Sequence, residues 1–582
     1  MRNLRSLLKY FARYKKKLFL GFVFILLSNA GSVYVPLLLK DSVNALQHNA
    51  TEAQLFHYAL FIIAASLFAG IFRFLIRETI IVVSREIEYD LRRDFWAHIQ
   101  RLPLRFFQNN STGNVMAHAT NDINAVRMFL GPAVMYSVDT VTRLLIVLVI
   151  LLMLNAELTL YALIPLPFLS ILIYKVGKKI HEKFTIIQEK FSQLTTMVQE
   201  SFSGIRVIKS YVREQNEMDR YAVESKDYMN KEMALVKIQA LFMPILFLIT
   251  GLSIIIVIWV GGTKTINGTM NLGEIAAFIV YLGILIWPMI ALGWVINLIQ
   301  QGEASMKRLN KIFNEPYEIV DDEKTDHAIK NITGKIDLKN VSFRYSDAHP
   351  WILKNVNLTI SEGSTIAIMG YTGSGKTSFI NLIPRLYDCT EGEILIDGIN
   401  IKRIPLDVLR KNIGIVPQEP FLFSDTVINN ISYGLKEVDK NRVHEVSAIA
   451  NFDKDVEEFP LGYETMVGER GITFSGGQKQ RCSLARALAI DPNILILDDS
   501  FSSVDTNTEE EILKNLNRFM KGRTSIIISH RISTVKDADH IIVLHEGKIA
   551  EQGKHDELVT KNGIYASLHY KQLLEEELKE IG

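Results

Sequence analysis

Six separate apolar runs, each of about twenty residues, constrain this chain more than any other feature, because that is the length a helix needs to cross a bilayer. They lie near 18–39, 55–76, 133–154, 157–175, 238–261 and 274–299. The competing reading is a soluble bundle of long buried helices, and six runs of the same length weigh against it. Charged residues make up 22% of the 582, yet the mean hydropathy is +0.16, so an apolar part is joined to a polar one. The formal net charge of +1 gives no bulk attraction to nucleic acid, and no such partner is expected.

The basic residues orient the runs. Arg2, Arg5, Lys9, Arg13 and Lys15-Lys16-Lys17 precede the first one. That run is too long for a signal-peptide core and no small-residue cleavage pattern follows, so it reads as an uncleaved span. Segments 77–132 and 175–237 are rich in Lys and Arg, whereas the loops near 40–54 and 262–273 carry little beyond Lys40 and Lys264. The positive-inside rule then places both termini and both long segments in the cytoplasm. Ile187, Phe191, Leu194 and Val198 recur at helical spacing, so helices are expected to continue beyond the bilayer. Asn155-Ala156-Glu157 is all that separates the third and fourth runs, which demands a tight turn. Pro165, Pro167, Pro244 and Pro288 each remove a backbone donor and can loosen their helices. Asp139 and Arg143 stand one turn apart inside the third run; such a pair either handles substrate or is a structural ion pair. The Asn-x-Thr triplets at Asn49 and Asn267 read as chance.

The polar half is organised by Ile366–Ser378. A β-type apolar run leads into Gly370-Tyr-Thr372-Gly373-Ser374-Gly375-Lys376-Thr377-Ser378, and Phe379, Ile380, Leu382 and Ile383 follow at helical spacing. Strand, glycine-rich loop and helix are the context a phosphate-binding loop requires. Glycines let successive N–H groups close around a phosphate chain, and the helix start adds its positive end. Lys376 is placed to reach the β- and γ-phosphates, and the Thr377 hydroxyl to ligate Mg²⁺. A nucleoside triphosphate is the expected ligand.

Further strands and turns surround this loop. Ile336, Leu338, Val341, Phe343 and Tyr345 alternate; Ile413–Val416 runs toward Gln418; Ile494–Leu497 ends in Asp498-Asp499; Thr524–Ser529 delivers His530. Between them, Ser475-Gly476-Gly477-Gln478 opens a helical segment. Strands alternating with helices imply a mostly parallel sheet whose active edge lies at the strand C-termini. The expected boundaries are a membrane domain at 1–312, a charged linker at 313–334 and a nucleotide-binding domain at 335–575. Cys389 and Cys482 both fall in the last and read as reduced structural thiols.

These motifs together resemble the ATP-binding cassette family in its exporter form, with an all-α membrane domain of six spans fused to an α/β P-loop domain. The resemblance covers the whole chain. It implies that Tyr345 stacks on adenine, that Gly370–Ser378 is the Walker A loop, and that Gln418 senses Mg²⁺ and the attacking water. It makes Ser475–Gln478 the signature motif, Asp498 the Walker B carboxylate on Mg²⁺, Ser503-Val504-Asp505 the D-loop and His530 the switch histidine. Glu469-Arg470-Gly471 matches the segment that touches the membrane domain, and the stretches Thr112-Gly113 to Asn121-Asp122 and Gly204-Ile205-Arg206 resemble the two coupling regions. In this family ATP lies between one subunit's Walker A and the other's signature. The single copy of each here implies a dimer in the bacterial plasma (inner) membrane, with ATP and Mg²⁺ as cofactors.

One residue departs from the pattern. Efficient members place Glu after the Walker B Asp, and this chain has Asp499, whose carboxylate is one methylene shorter. Beside an intact signature and His530, this resembles the degenerate-site subunit of heterodimeric multidrug-type exporters; a homodimer of two slow sites is the alternative. The resemblance implies outward, ATP-driven movement of amphipathic drugs or lipid-like molecules. A lipid flippase shares the chemistry, and an ATP-gated channel or regulatory subunit is the rival from another class. No line of charged residues along the spans favours a channel. Six spans exclude a soluble cassette ATPase of the DNA-repair kind.

Overall fold

A computed structural model describes residues 2–468 and 474–581. The chain divides into two compact units, Met1–Gln100 with Thr112–Glu315, and Arg101–Ser111 with Pro316–Gly582.

The described residues of the first unit form helices joined by short turns. Its long ones are α1 (Lys15–Gln47), α2 (Glu52–Ile76), α3 (Val134–Leu163), α4 (Pro165–Ser203), α5 (Glu214–Ile266) and α6 (Leu272–Phe313). A π-helical turn, Arg77–Ile81, and a further helix, Val82–Ile99, prolong α2 without a break. Among the described residues, five stretches are long and apolar enough to cross a membrane: Lys15–Gln47, Glu52–Ile99, Thr112–Leu163, Glu214–Ile266 and Leu272–Phe313. The run at 157–175 is not among them. It is shared between the end of α3 and the start of α4, where Pro165 occupies the first turn.

The chemistry of these helices suits lipid. On α2, Phe61, Leu67 and Phe74 point outward and are about 60% exposed, a face that water would not tolerate. Its opposite face packs on α1 through small residues. A Cβ at Gly31 would sit 2.9 Å from the Phe68 ring, and Ser28 Oγ donates to Ala69 O at 3.0 Å. Asn155 leaves helical geometry (φ −161°, ψ 104°), and its Oδ1 accepts from Leu158 N at 2.9 Å, which caps the restarted helix. Thr159 Oγ1 reaches back to Leu151 O at 2.7 Å, so the turn is tight. The core lies among Val33, Val147, Leu151, Val257, Phe278 and Tyr281, with the Tyr281 hydroxyl donating to Val33 O at 2.7 Å.

The described residues of the second unit hold two sheets. The strands are β1 (Ile336–Phe343), β2 (Leu353–Ile360), β3 (Thr365–Met369), β4 (Glu391–Ile396), β5 (Ile399–Asn400), β6 (Ile413–Val416), β7 (Ile494–Asp498), β8 (Thr524–Ile528), β9 (His540–His545) and β10 (Lys548–Gly553). An antiparallel sheet runs β2-β1-β4-β5, and the larger sheet runs β10-β9-β3-β8-β7-β6. In the larger one every pair is parallel except β10 on β9. Its parallel strands are apolar on both faces, as burial between two helical layers requires, whereas the edge strand β10 is largely exposed. Ala367, Leu495 and Leu497 enter one core cluster, and Ile366, Ile494, Ile496 and Ile526 the other. The helices that matter below are α7 (Lys376–Leu382), α8 (Gly476–Ala489), α9 (Thr506–Met520) and α10 (Ile564–Ile581). The order β3-β8-β7-β6 sets four strand C-termini side by side, and each leads into one of the loops singled out above.

The short segment Arg101–Ser111 belongs to this unit although its neighbours in sequence do not. It forms a turn of helix, Leu104–Asn109, and Arg105 pairs with Glu318. The coupling stretch expected from Thr112 onward begins just after it, in the first unit.

Candidate functional site

The loop after β3 closes around its own lysine. Gly370, Gly373 and Gly375 have φ of +145°, +82° and +102°. At Gly370 a Cβ would also lie 2.2 Å from Leu544 O, so both conformation and space demand glycine. Lys376, the first residue of α7, is buried and donates to Gly370 O at 2.8 Å and Tyr371 O at 3.0 Å. Burial holds its pKa below the usual lysine value, against the opposing pull of Asp498 and Asp499. Ser374 Oγ is buried without a partner.

Asp498 ends β7 and is 4% exposed, with Thr377 Oγ1 donating to its Oδ2 at 3.2 Å. Burial raises its pKa and the neighbouring Asp499 adds to this. The next residue turns sharply. Asp499 has φ +45° and donates its N–H to Ile528 O at 2.9 Å. Asp tolerates this left-handed conformation better than residues with longer side chains. His530 follows β8; burial, then Lys376, lowers its pKa, which favours the neutral imidazole.

A cavity of about 290 Å³ collects these groups. Loop residues 372–378 line it together with Gln418, Asp498, Asp499 and His530. Tyr345 does not border it. Its hydroxyl shares a hydrogen bond with Ser378 Oγ at 2.9 Å, and its ring packs edge-on to Phe343 and Tyr387. It borders instead a cavity of about 220 Å³.

Ser475–Gln478 also stands apart from that cavity. Ser475 caps α8: its Oγ accepts from Gln478 N at 3.2 Å, and Gln478 Oε1 accepts from Ser475 N at 3.0 Å. Ser475 and Gly476 are exposed, so the free end of the helix opens outward. Asp455 anchors the first turn, accepting from Gln478 Nε2 at 3.2 Å and from Arg481 at 2.9 and 2.7 Å. Glu469-Arg470-Gly471 lies outside the described residues.

Three positioning residues escape a reading of the sequence. Gln480 is buried and grips the loop before α9 twice, donating to Ser502 Oγ at 2.9 Å and accepting from Ser503 N at 3.0 Å. Glu509, also buried, takes Arg531 and Thr534 Oγ1 on its two oxygens. Gln572 of α10 clamps the histidine loop, donating to His530 O and accepting from Ile532 N at 2.8 Å. Gln480 sits close to the Ser475–Gln478 motif and could have been suspected from it. Gln572 is remote in sequence, with no local signal.

In the first unit Arg143 Nη2 reaches Asp139 Oδ1 at 3.1 Å and Asn29 Oδ1 at 2.9 Å, tying α3 to α1. The pair is thus built into the helix packing. It also borders a cavity of about 350 Å³. Cys389 and Cys482 are free thiols, and burial pushes Cys482 up to about 12.

Comparisons with known proteins agree with this geometry. Residues 18–289 match the family described as ABC transporter transmembrane region, and 353–502 match ABC transporter. The chain is 38% identical to the probable multidrug resistance ABC transporter ATP-binding/permease protein YheI of Bacillus subtilis, over 98% of both chains. It is 38% identical to the ATP-dependent lipid A-core flippase of Syntrophus aciditrophicus, over 86% of this chain and 82% of that one. A solved bacterial Atm1-family ABC exporter with ATP bound superposes with a TM-score of 0.78 at 28% identity, covering 96% of this chain and 99% of the other. Helical membrane unit and nucleotide-binding unit are fused as in that exporter, and the chain belongs to the ABC exporters, homologous to their multidrug-type members.

Proposed function

We propose that this chain is one half of a heterodimeric exporter that drives amphipathic small molecules out across the bacterial inner membrane by alternating access, with both termini in the cytoplasm. The observation that carries the proposal is the combination of Asp499 in the phosphate cavity with an intact Ser475–Gln478 whose first two residues are exposed. The chain has a complete signature to offer a partner and a shortened carboxylate in its own site.

The roles follow from the chemistry of each group. The N–H groups of Gly370, Thr372, Gly373, Ser374 and Gly375 would cradle phosphate oxygens, with Ser374 Oγ as a further donor. Lys376 would exchange its two loop carbonyls for the β- and γ-phosphates, a stronger, charge-assisted pairing. Ser378 and Tyr345, already bonded to each other, would border the α-phosphate and the adenine. The partner's γ-phosphate would meet the exposed start of α8 at Ser475, Gly476, Gly477 and Gln478. Asp499, Gln418 and His530 would orient the attacking water, His530 from its neutral form, with Gln572 fixing its backbone.

Mg²⁺ suits the residues present. Asp498 is a buried carboxylate with one hydroxyl on it, and burial resists its ionisation, so a divalent cation would offset the buried charge. Thr377, Asp498 and Gln418 would hold the ion, which would neutralise charge on the bridging phosphates.

The test is ATP-dependent accumulation of a fluorescent amphiphile in inside-out vesicles carrying the chain and its native partner. Accumulation lost in Lys376→Ala supports the proposal; ATP-independent or inward movement rejects it. The similarity to a lipid A-core flippase favours a lipid-like substrate as the second reading, which the same vesicles test with a labelled lipid.

A further inference from the structure

We propose that the membrane unit holds a subsite for anionic amphiphiles, molecules with a phosphate, sulfonate or carboxylate head on an apolar body. This rests on the exporter reading above and names the charge its substrate carries.

The cavity of about 350 Å³ beside α2, α3 and α6 is lined by Arg73, Arg77, Asp139 and Arg143, with Tyr136 and Trp287 among its apolar walls. Three guanidinium groups face one carboxylate, so positive charge is in excess by two. Asp139 is already committed to Arg143 at 3.1 Å, and Asn29 takes the same guanidinium at 2.9 Å. Arg143 Nε is buried and donates to nothing. Arg73 and Arg77 have no carboxylate within ion-pair distance among the described residues.

Arg73 stands near the end of α2, between the outward-facing Ile71 and Phe74, and both it and Arg77 are exposed. Arginines at the cytoplasmic end of a span reach the interface, the level at which the anionic head of an amphiphile also lies. Arg73 on α2 and Arg77, the first residue of the π-turn that prolongs it, are one helical turn apart, so their guanidinium groups can take one head group together, each offering two parallel donors. Helix geometry changes at the same place: the π-turn Arg77–Ile81 begins at the cavity's edge, a distortion that recurs at functional sites. The other walls are apolar and aromatic. Tyr136 packs edge-on to Trp294 at 5.4 Å, and Trp287 presents an exposed ring, a flat surface for the body of an amphiphile. A cationic amphiphile would meet the same two unpaired arginines and be repelled.

The experiment uses the complex of this chain with its native partner in nanodiscs of zwitterionic lipid. Two probes share one fluorescent dodecyl chain; one ends in phosphate, the other in trimethylammonium. Fluorescence polarisation is expected to show the phosphate probe binding at least about tenfold more tightly. The double variant Arg73→Gln/Arg77→Gln should remove that preference, and Arg73→Lys/Arg77→Lys should keep most of it. Asp139→Asn, which removes the opposing charge, should increase it, an outcome that no misfolding could mimic. Equal affinities for the two probes in the wild-type complex would overturn the proposal, as would an undiminished preference in the Gln variant. Inorganic phosphate competing as well as the alkyl phosphate would overturn the amphiphile, and displacement of the probe in phosphatidylglycerol nanodiscs would assign the arginines to bulk lipid instead. ATP-dependent pumping of a cationic dye, with no anion preference, sinks this proposal and leaves the exporter standing. Absence of any ATP-driven transport sinks the exporter reading.

Discussion

Asp499 and Ser475 should respond differently to mutation if this chain lends its signature to a better site than its own. Asp499→Asn keeps the left-handed backbone at φ +45°, since Asn adopts it as readily as Asp, and removes only the charge. In the asymmetric complex it changes a site that already works slowly, so total turnover should stay within about twofold. Ser475→Arg puts bulk and a cation at the exposed start of α8, where a γ-phosphate must dock against small residues and N–H groups. Loss of one set of such donors costs about 10²- to 10³-fold, and here the whole docking face is lost. Asp499→Glu separates reach from strain. One more methylene advances the carboxylate by about 1 Å, and a misplacement of that size is worth about 10²-fold in rate. Glu pays roughly 1–2 kcal/mol for the left-handed conformation, which lowers stability but does not touch the chemical step. The chain assembled alone should therefore hydrolyse ATP faster as Asp499→Glu while melting a few degrees earlier. Steady-state ATPase of the reconstituted complex with its native partner, one motif changed at a time, decides the matter. Severe and equal losses from Ser475→Arg and Asp499→Asn would refute the asymmetric model and leave two equivalent sites.

Other substitutions probe the groups that hold the site. Lys376→Ala should weaken nucleotide binding at least tenfold in a labelling assay with a photoreactive ATP analogue, and unchanged labelling would remove the loop's assignment. Gln572→Leu frees the His530 carbonyl and the Ile532 N–H together; kcat should fall about tenfold with KM for ATP nearly unchanged, and a matching rise in KM would mean general loosening. His530 has a pKa below 6.5, so its imidazole stays neutral in the folded protein where the unfolded chain has begun to protonate. Its contribution to stability is present above pH 6.5 and is lost as pH falls from there through the lowered pKa of the folded state. The acid limb of kcat should accordingly begin below pH 6.5, and an apparent pKa at or above 6.5 would contradict the burial argument. Asp498 is shifted the other way: its ionised form is disfavoured by burial, so stability falls as pH rises from about 4 toward its raised pKa. Asp498→Asn should raise the melting temperature of the nucleotide-free protein at pH 7.5 and lose that advantage near pH 4.

What could be read from the sequence was chemistry that needs neighbours in the chain. The loop Gly370–Ser378 must hold its glycines, lysine and hydroxyls in consecutive positions, because one turn of backbone surrounds one phosphate chain. The apolar runs were legible for a similar reason: a bilayer sets their length, and the break at Asn155 could be located because Asn155-Ala156-Glu157 is all that interrupts two apolar runs. The strand ends at Gln418, Asp498 and His530 followed from buried runs that stop at a polar group, and β3-β8-β7-β6 sets them side by side. The parts that hold those groups still obey no local rule. Asp455 reaches Arg481, Gln480 reaches Ser503, and Gln572 reaches His530 only because helices from distant segments are brought against the same sheet edge. A glutamine side chain offers both N–H donors and a carbonyl acceptor, and any surface glutamine looks the same in a sequence. Its partners are chosen by topology. The same reasoning explains the segment Arg101–Ser111, whose composition resembles its flanks but which belongs with the nucleotide unit through Arg105 and Glu318. Residues that touch phosphate are thus fixed by the ligand's shape and recur as motifs, whereas residues that fix His530 or the start of α8 are fixed by the fold, and any group of the right polarity at the right height would serve.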